Sequence, residues 1–281
     1  MNPNDEFLEK NRRRWDELAE IHPKSKYYDL ENFTKGTSSL EKLDLELIGD
    51  LTGKRVLHLQ CHFGMDSISL WRHGAAEVVG VDFSEKAIKQ AKKLAKQIGA
   101  NVRFIQSDVL QLDEVFDEYH SFDLVYTSYG TITWLPDLEK WGEIISKFLR
   151  PDGCLVFVDS HPFASVFDDE VENAQLIPIY PYSTKGEALH FHVEGSYATG
   201  ENIENKDEYL WQYSLSEIIN SLTAQEMIIQ NIGEYTTINW KSFPFLVENE
   251  SGWYEYPDDF TQTKVPLLLS ITAKKNPNVT Y

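Results

Sequence analysis

Four segments carry residues that could do chemistry, and each falls where a strand-like run stops. The first is VLHLQCHFGMDS (56–67), a short β-rich run that passes through a tight turn into a helix. Free backbone N–H groups in such a turn, with the N-terminus of the next helix, attract an anionic group. Gly64 permits close backbone approach. The second is VVGVDFS, where Asp82 ends a run eighteen positions after Gly64. A carboxylate there can accept hydrogen bonds from both ribose hydroxyls of a nucleoside. The third is IQSDV, where Asp108 can accept from an adenine amino group. The fourth is FDLVYTSYGTITW (122–134), at the mouth of another run.

These segments need a scaffold, and the chain has the pattern for one. Strand-like runs fall at 56–60, 77–82, 101–108, 122–128 and 154–159, with further runs at 228–236 and 265–275. Helical stretches lie between them. One runs from Met65 to His73 and stops at Gly74. Another is capped by Ser84, carries the stripe Ala87, Ile88, Ala91, Leu94, Ala95 and Ile98, and stops at Gly99. A third has Pro136 in its first turn and buries Leu138, Trp141, Ile145 and Phe148. Pro151-Asp152-Gly153 reads as a turn. Ser214 to Glu217 reads as a capping box. Strands alternating with helices imply parallel pairing and right-handed crossovers. The expected fold is α/β, a doubly wound, mostly parallel sheet of seven strands, with its ligand crevice at the carboxyl ends of the strands.

Three regions lie outside this rhythm. Residues 1–50 are expected to form a helical lid, with Asn4 capping a first helix that presents Leu8, Trp15 and Leu18, a loop at 23–39, and a second helix at 40–50. Residues 51–281 form the main domain, with aromatic-rich insertions at about 160–213 and 237–264. Long ordered insertions of that kind usually serve function.

Composition narrows the partners. The formal charge is −19 over 281 residues, and nucleic-acid affinity depends on neutralising phosphates, so DNA and RNA substrates are not expected. No run is apolar enough for a membrane span. The charged N-terminus lacks a signal core, and Cys61 and Cys154 form no disulfide framework. A cytoplasmic location is the expectation. The oligomeric state is not legible.

Taken together, the four segments resemble the class I S-adenosylmethionine-dependent methyltransferases, over about residues 53–160. The match is closest to a bacterial subgroup with an LHLQCHFG-type first motif, here 57–64. The resemblance implies a Rossmann-like fold whose seventh strand is antiparallel, and S-adenosylmethionine as cofactor, with S-adenosylhomocysteine as product. It further implies that Gln60, Cys61, His62, Phe63 and Gly64 wrap the methionine part. Asp82 would bind the ribose, with Phe83 on the adenine, and Ser107, Asp108 and Val109 would surround the adenine. Thr127, Ser128 and Tyr129 would floor the methyl-donor end. The chain departs from the wider family in the turn itself, where His58 replaces an acid, and Gln60 and His62 replace glycines.

Plainer readings stand beside these. His58 lies inside a strand and reads as a buried, hydrogen-bonded histidine. Cys61 reads as packing, with nothing nearby to lower its pKa. Asp108 could cap the short helix after it. Asp123 precedes its strand, at the far end from the crevice, and reads as structural. Trp15, Tyr27 and Tyr28 are either a lid over the cofactor or packing for the first helix. Asp159 and His161 follow the fifth strand; His161 and Tyr129 are the candidate catalytic side chains.

The chemistry expected is in-line methyl transfer to a small-molecule acceptor, for which alignment and exclusion of water matter most. No metal-ligand spacing stands out, so metal-free transfer is expected. The acceptor atom and identity are not legible. A non-catalytic cofactor-binding module and a nicotinamide-dependent oxidoreductase stay open, although the turn lacks G-x-G-x-x-G.

Overall fold

Strands buried on both faces read as near-continuous apolar runs, and the central strands here do so. The computed structural model describes residues 3–278. The chain opens with α1 (Pro3–Ile21), α2 (Leu30–Thr34) and α3 (Lys42–Ile48). The alternating unit follows as β1 (Arg55–Leu59), α4 (Met65–Arg72), β2 (Glu77–Asp82), α5 (Glu85–Ile98), β3 (Val102–Gln106), α6 (Leu112–Val115), β4 (Phe122–Ser128), α7 (Leu138–Phe148) and β5 (Leu149–Ser160). A hairpin, β6 (Leu189–His192) and β7 (Asp207–Leu210), comes next, then α8 (Leu215–Thr223) and β8 (Met227–Tyr235). Three short strands, β9 (Thr237–Ile238), β10 (Val247–Glu248) and β11 (Tyr254–Glu255), precede the final β12 (Leu268–Lys275).

The main sheet has seven strands in the order β3-β2-β1-β4-β5-β12-β8. β12 runs antiparallel to both β5 and β8, and the others pair in parallel. This is the expected doubly wound, Rossmann-like sheet. Strand order reverses between β1 and β4, so a ligand crevice opens there. Alternation divides the core between two faces. Leu57, Leu59, Val79, Val81, Val125, Leu155 and Phe157 pack toward α7 and α8. Val56, Val78, Leu124, Tyr126, Val156 and Val158 pack on the other face, with Leu40 and Ile48 beside them. Among the described residues, no helix is long and apolar enough to cross a membrane.

Helix ends follow local chemistry. Ser84 accepts from the Ala87 amide to start α5, and Gly99 ends it at φ 76°. Ser214 and Glu217 close the expected capping box on α8. Four expectations need correction. Asn4 lies inside the first turn of α1, which starts at Pro3. The loop expected at 23–39 contains α2, whose cap Asp29 takes a left-handed φ of 39° to accept from the Asn32 amide. Pro136 precedes the true cap, Asp137, which accepts from the Lys140 amide. Pro151-Asp152-Gly153 lies within β5, where Asp152 takes φ 62° and the register against β4 shifts.

The first helix is bolted to the inserted hairpin. Asn11 donates to the Tyr209 carbonyl at 2.7 Å and accepts from the Tyr209 amide at 2.9 Å, continuing the edge of β7 with a side chain. Arg14 pairs with Glu208 at 2.9 Å, and Glu17 accepts from the amides of Glu204 and Asn205. The segment without clean periodicity is therefore ordered against a helix nearly two hundred residues away in the chain.

α7 and α8 approach so closely that a Cβ at Gly142 would stand 2.3 Å from the Ser221 carbonyl oxygen. Alanine favours a helix interior by about 1 kcal/mol over glycine. Overpacking against backbone costs about 1–3 kcal/mol. We expect Gly142→Ala to lower the urea midpoint without changing the slope; an unchanged or raised midpoint would contradict this packing.

Candidate active site

The turn after β1 alternates left-handed residues. Gln60, His62 and Gly64 have φ of 56°, 48° and 83°. Only the last is glycine, and a non-glycine residue held there costs on the order of 1–3 kcal/mol. Several bonds hold the turn in place. The Cys61 amide donates to the Val81 carbonyl at 2.9 Å, and Gln60 Nε2 donates to the Thr131 carbonyl at 2.7 Å. Gly64 serves packing as well as backbone freedom, because a Cβ there would lie 2.6 Å from the Phe104 ring.

Asp82 ends β2 with a buried carboxylate. One oxygen accepts from the His62 amide at 2.8 Å, the other from the Ser84 amide at 2.9 Å. Burial pushes its pKa up to about 6, against the pull of those amides. Asp108 lies two residues beyond β3, not at its end, and accepts from the Leu110 amide at 2.9 Å. It is thus the cap of a short helical turn, and burial raises its pKa. Asp159 shapes the exit of β4. It accepts from the amides of Gly130, Thr131 and Ile132 at 2.6, 2.8 and 3.2 Å. This holds Tyr129, at φ 56°, in place, and its hydroxyl donates to Asp44 at 2.9 Å.

The N-terminal segment closes over the turn. His22 Nδ1 and His62 Nε2 are 2.8 Å apart and share a hydrogen bond. Burial pushes His22 down to about 4 and His62 well below the ordinary histidine value, so both are neutral at pH 7. Trp15 meets His62 edge-on at 5.2 Å, and Tyr28 stacks on His22 at 5.1 Å. His22 Nε2, His62 Nδ1 and Gln60 Oε1 are buried and have no hydrogen-bond partner. Tyr27 and Tyr197 keep 53% and 58% of their surface exposed, yet desolvation raises both phenols.

A family model described as a methyltransferase domain matches residues 50–213, more than half of the chain. This chain belongs to the methyltransferase-domain family. A ubiquinone biosynthesis O-methyltransferase of Neisseria meningitidis is 32% identical over 136 residues, 47% of this chain and 56% of that protein. A demethylmenaquinone methyltransferase of Lactococcus lactis is 32% identical over 132 residues, 46% of this chain and 51% of that protein. The chain thus spans about half the length of the curated relatives it matches. A crystal structure of a putative S-adenosylmethionine-dependent methyltransferase from Listeria monocytogenes has the same fold, with a TM-score of 0.61 and 20% identity, over 82% of this chain and 94% of that one.

Within the methyltransferase domain, Gln60, His62, Asp82, Ser107, Asp108, Ser128 and Tyr129 gather at the carboxyl ends of β1 to β4. Phe83, just past β2, is half-buried and its carbonyl accepts from Gln106. Some expected ligand side chains turn away. Cys61 and Phe63 pack in the core with Phe104, Val109 packs in the core on the opposite face of the sheet, and Thr127 is fully buried against Thr131. They can offer a ligand only backbone. His161 is a poor base: its Nδ1 accepts from the Phe163 amide, which leaves Nε2 to donate to Glu234 at 2.8 Å. His58 is buried, bonded to Ser67 and pushed down to about 3. Asp123 holds the Arg55 amide and Arg150, at the far end of the sheet. The sequence reading missed His22, Tyr197 and Asp44, which no local pattern marks.

Asp44 is fully buried and pushed up to about 7 by desolvation, then by the nearby Asp66 charge. The folded state thus favours its protonated form. Its stabilising contribution is complete below about pH 4 and is lost as pH rises through about 7. Asp44→Asn removes this titration. Between pH 5 and pH 8, we expect wild type to lose roughly 2 kcal/mol relative to the variant. Urea unfolding at both pH values checks this, and a pH-independent difference would contradict it.

Proposed function

We propose that this methyltransferase domain binds S-adenosylmethionine across the ends of β1 to β4 and methylates a small-molecule acceptor. The observation that carries the reading is a pair of carboxylates, the buried Asp82 at the end of β2 and the half-buried Asp108 just past β3, beside a left-handed turn. Each Asp82 oxygen takes one backbone amide and keeps a lone pair, so the two can receive the two ribose hydroxyls. Asp108 uses one oxygen on Leu110, leaving the other for an adenine amino group. The buried polar atoms of the turn that lack protein partners fit a ligand there.

When bound, S-adenosylmethionine supplies an activated methyl group and is left as S-adenosylhomocysteine. The chain's part is alignment and exclusion of water. Residues 1–50, with 160–213 and 237–264, are proposed to cover the acceptor. Trp240, from the last of these, lies 6.2 Å from the Tyr129 ring, edge-on. Tyr129 is proposed to receive the acceptor: Asp44 holds its proton, and its oxygen can still accept a hydrogen bond. Transfer without a metal is part of the proposal. The names of the two quinone-related relatives support a small acceptor. The −19 net charge argues against nucleic acid.

Calorimetric titration with S-adenosylmethionine and S-adenosylhomocysteine tests the reading. Wild type should bind both. Asp82→Asn loses a charged acceptor, worth about 1.5–3 kcal/mol per hydrogen bond, so affinity should fall on the order of a hundredfold. No binding by folded wild type, or no loss in the variant, would contradict the proposal.

A further inference from the structure

Acids crowd the flank of the site on which Tyr129 stands. Asp44 accepts from the Tyr129 hydroxyl at 2.9 Å with one oxygen and from the Glu41 amide at 2.9 Å with the other. The Glu41 side chain accepts from the Trp253 indole N–H at 3.0 Å. Asp66, in the first turn of α4, uses one oxygen on Ser39 Oγ at 2.5 Å and keeps the other. The charges these acids feel are one another's: Asp66 acts on Asp44, and Glu41 acts on Asp66. Nearby cations in the chain are engaged elsewhere. Lys42 pairs with Glu46 at 3.6 Å, and Arg72 lies over the Phe33 ring at 4.5 Å. Carboxylates withdrawn from water ask for a counter-charge.

A second feature points to a ligand. Tyr126 is fully buried, and its hydroxyl faces the Asp44 carboxyl closely enough to lower its pKa. Yet among the described residues that hydroxyl has no hydrogen-bond partner in place. A buried hydroxyl left unmet is destabilising, and its oxygen can accept from a bound donor. The walls around it are aromatic. Trp240 stands edge-on to Tyr129 at 6.2 Å, and Tyr129, Trp240 and Trp253 are all only half-buried, so this flank opens to solvent. Carboxylates beside aromatic rings suit a cation with an apolar body.

We propose that the acceptor is an organic ammonium, a primary or secondary amine in its protonated form, seated between Glu41, Asp44 and Asp66 and the rings of Tyr129, Trp240 and Trp253. This rests on the methyl-transfer reading above and narrows its acceptor class. An ammonium has no lone pair, so it loses a proton before it reacts. Tyr129 can take that proton on its oxygen as it passes its own to Asp44. The nitrogen lone pair then forms the new C–N bond while the C–S bond breaks, and the sulfur leaves as a neutral thioether. The net charge of −19 draws a cation toward the protein.

Three probes of similar shape test the assignment: benzylammonium, its neutral counterpart benzyl alcohol, and the anion benzoate. Each is titrated at pH 7, by calorimetry, into protein saturated with S-adenosylhomocysteine. Benzylammonium should bind about tenfold more tightly than benzyl alcohol, and benzoate should not bind. Glu41→Gln and Asp66→Asn keep the side-chain shape and remove a charge. Each should weaken benzylammonium about tenfold and leave benzyl alcohol and S-adenosylhomocysteine within about twofold. If benzyl alcohol or benzoate matches benzylammonium, if none of the three binds, or if the variants leave benzylammonium unchanged, the ammonium assignment fails while the cofactor reading stands. If folded wild type does not bind S-adenosylhomocysteine, both fail.

Discussion

The site depends on one carboxylate. Asp82 accepts from the His62 amide on one side and the Ser84 amide on the other, and so ties the turn after β1 to the start of α5. With the Cys61–Val81 and Gln60–Thr131 bonds, it holds a backbone that places two non-glycine residues at positive φ. The tie extends outward. Ser84 donates to Asp16 of α1 at 2.6 Å while accepting from Ala87. Two carboxylates thus connect the first helix, the turn and the helix that follows β2.

The segments around the site are fixed by the same kind of bond. α1 holds the β6–β7 hairpin through Asn11, Arg14 and Glu17. Its C-terminal continuation brings His22 against His62. On the other flank, Asp159 gathers three successive amides and Asp44 takes the Tyr129 hydroxyl, which together shape the exit of β4. Buried acids do this work across the site. The cost is that Asp44, Asp66 and Asp82 all have their pKa values raised by desolvation.

The alternating core was legible because its signals are local. Strand runs, the stripe of α5, the Ser84 cap and the Ser214 capping box depend on neighbours within a few residues. Asp82 was legible for the same reason, since it ends a strand in a crevice. What was not legible depends on partners far apart in the chain. The β6–β7 hairpin is ordered by α1, and the His22–His62 contact spans forty residues. The left-handed turn was half hidden, because Gln60 and His62 stand at positions whose backbone suits glycine. Gly64 was marked for ligand approach, and the Phe104 ring gives it a second reason. His161 looked like a base, but a backbone amide two residues on occupies its lone pair.

The central claim is that the crevice above β1 to β4 holds a nucleoside by its ribose at Asp82. A crystal structure of the complex with S-adenosylhomocysteine tests it most directly. The account predicts both ribose hydroxyls within hydrogen-bond distance of the Asp82 carboxylate and the adenine beside Asp108. A nucleoside bound elsewhere, or one that leaves Asp82 in contact only with the amides of His62 and Ser84, would contradict it.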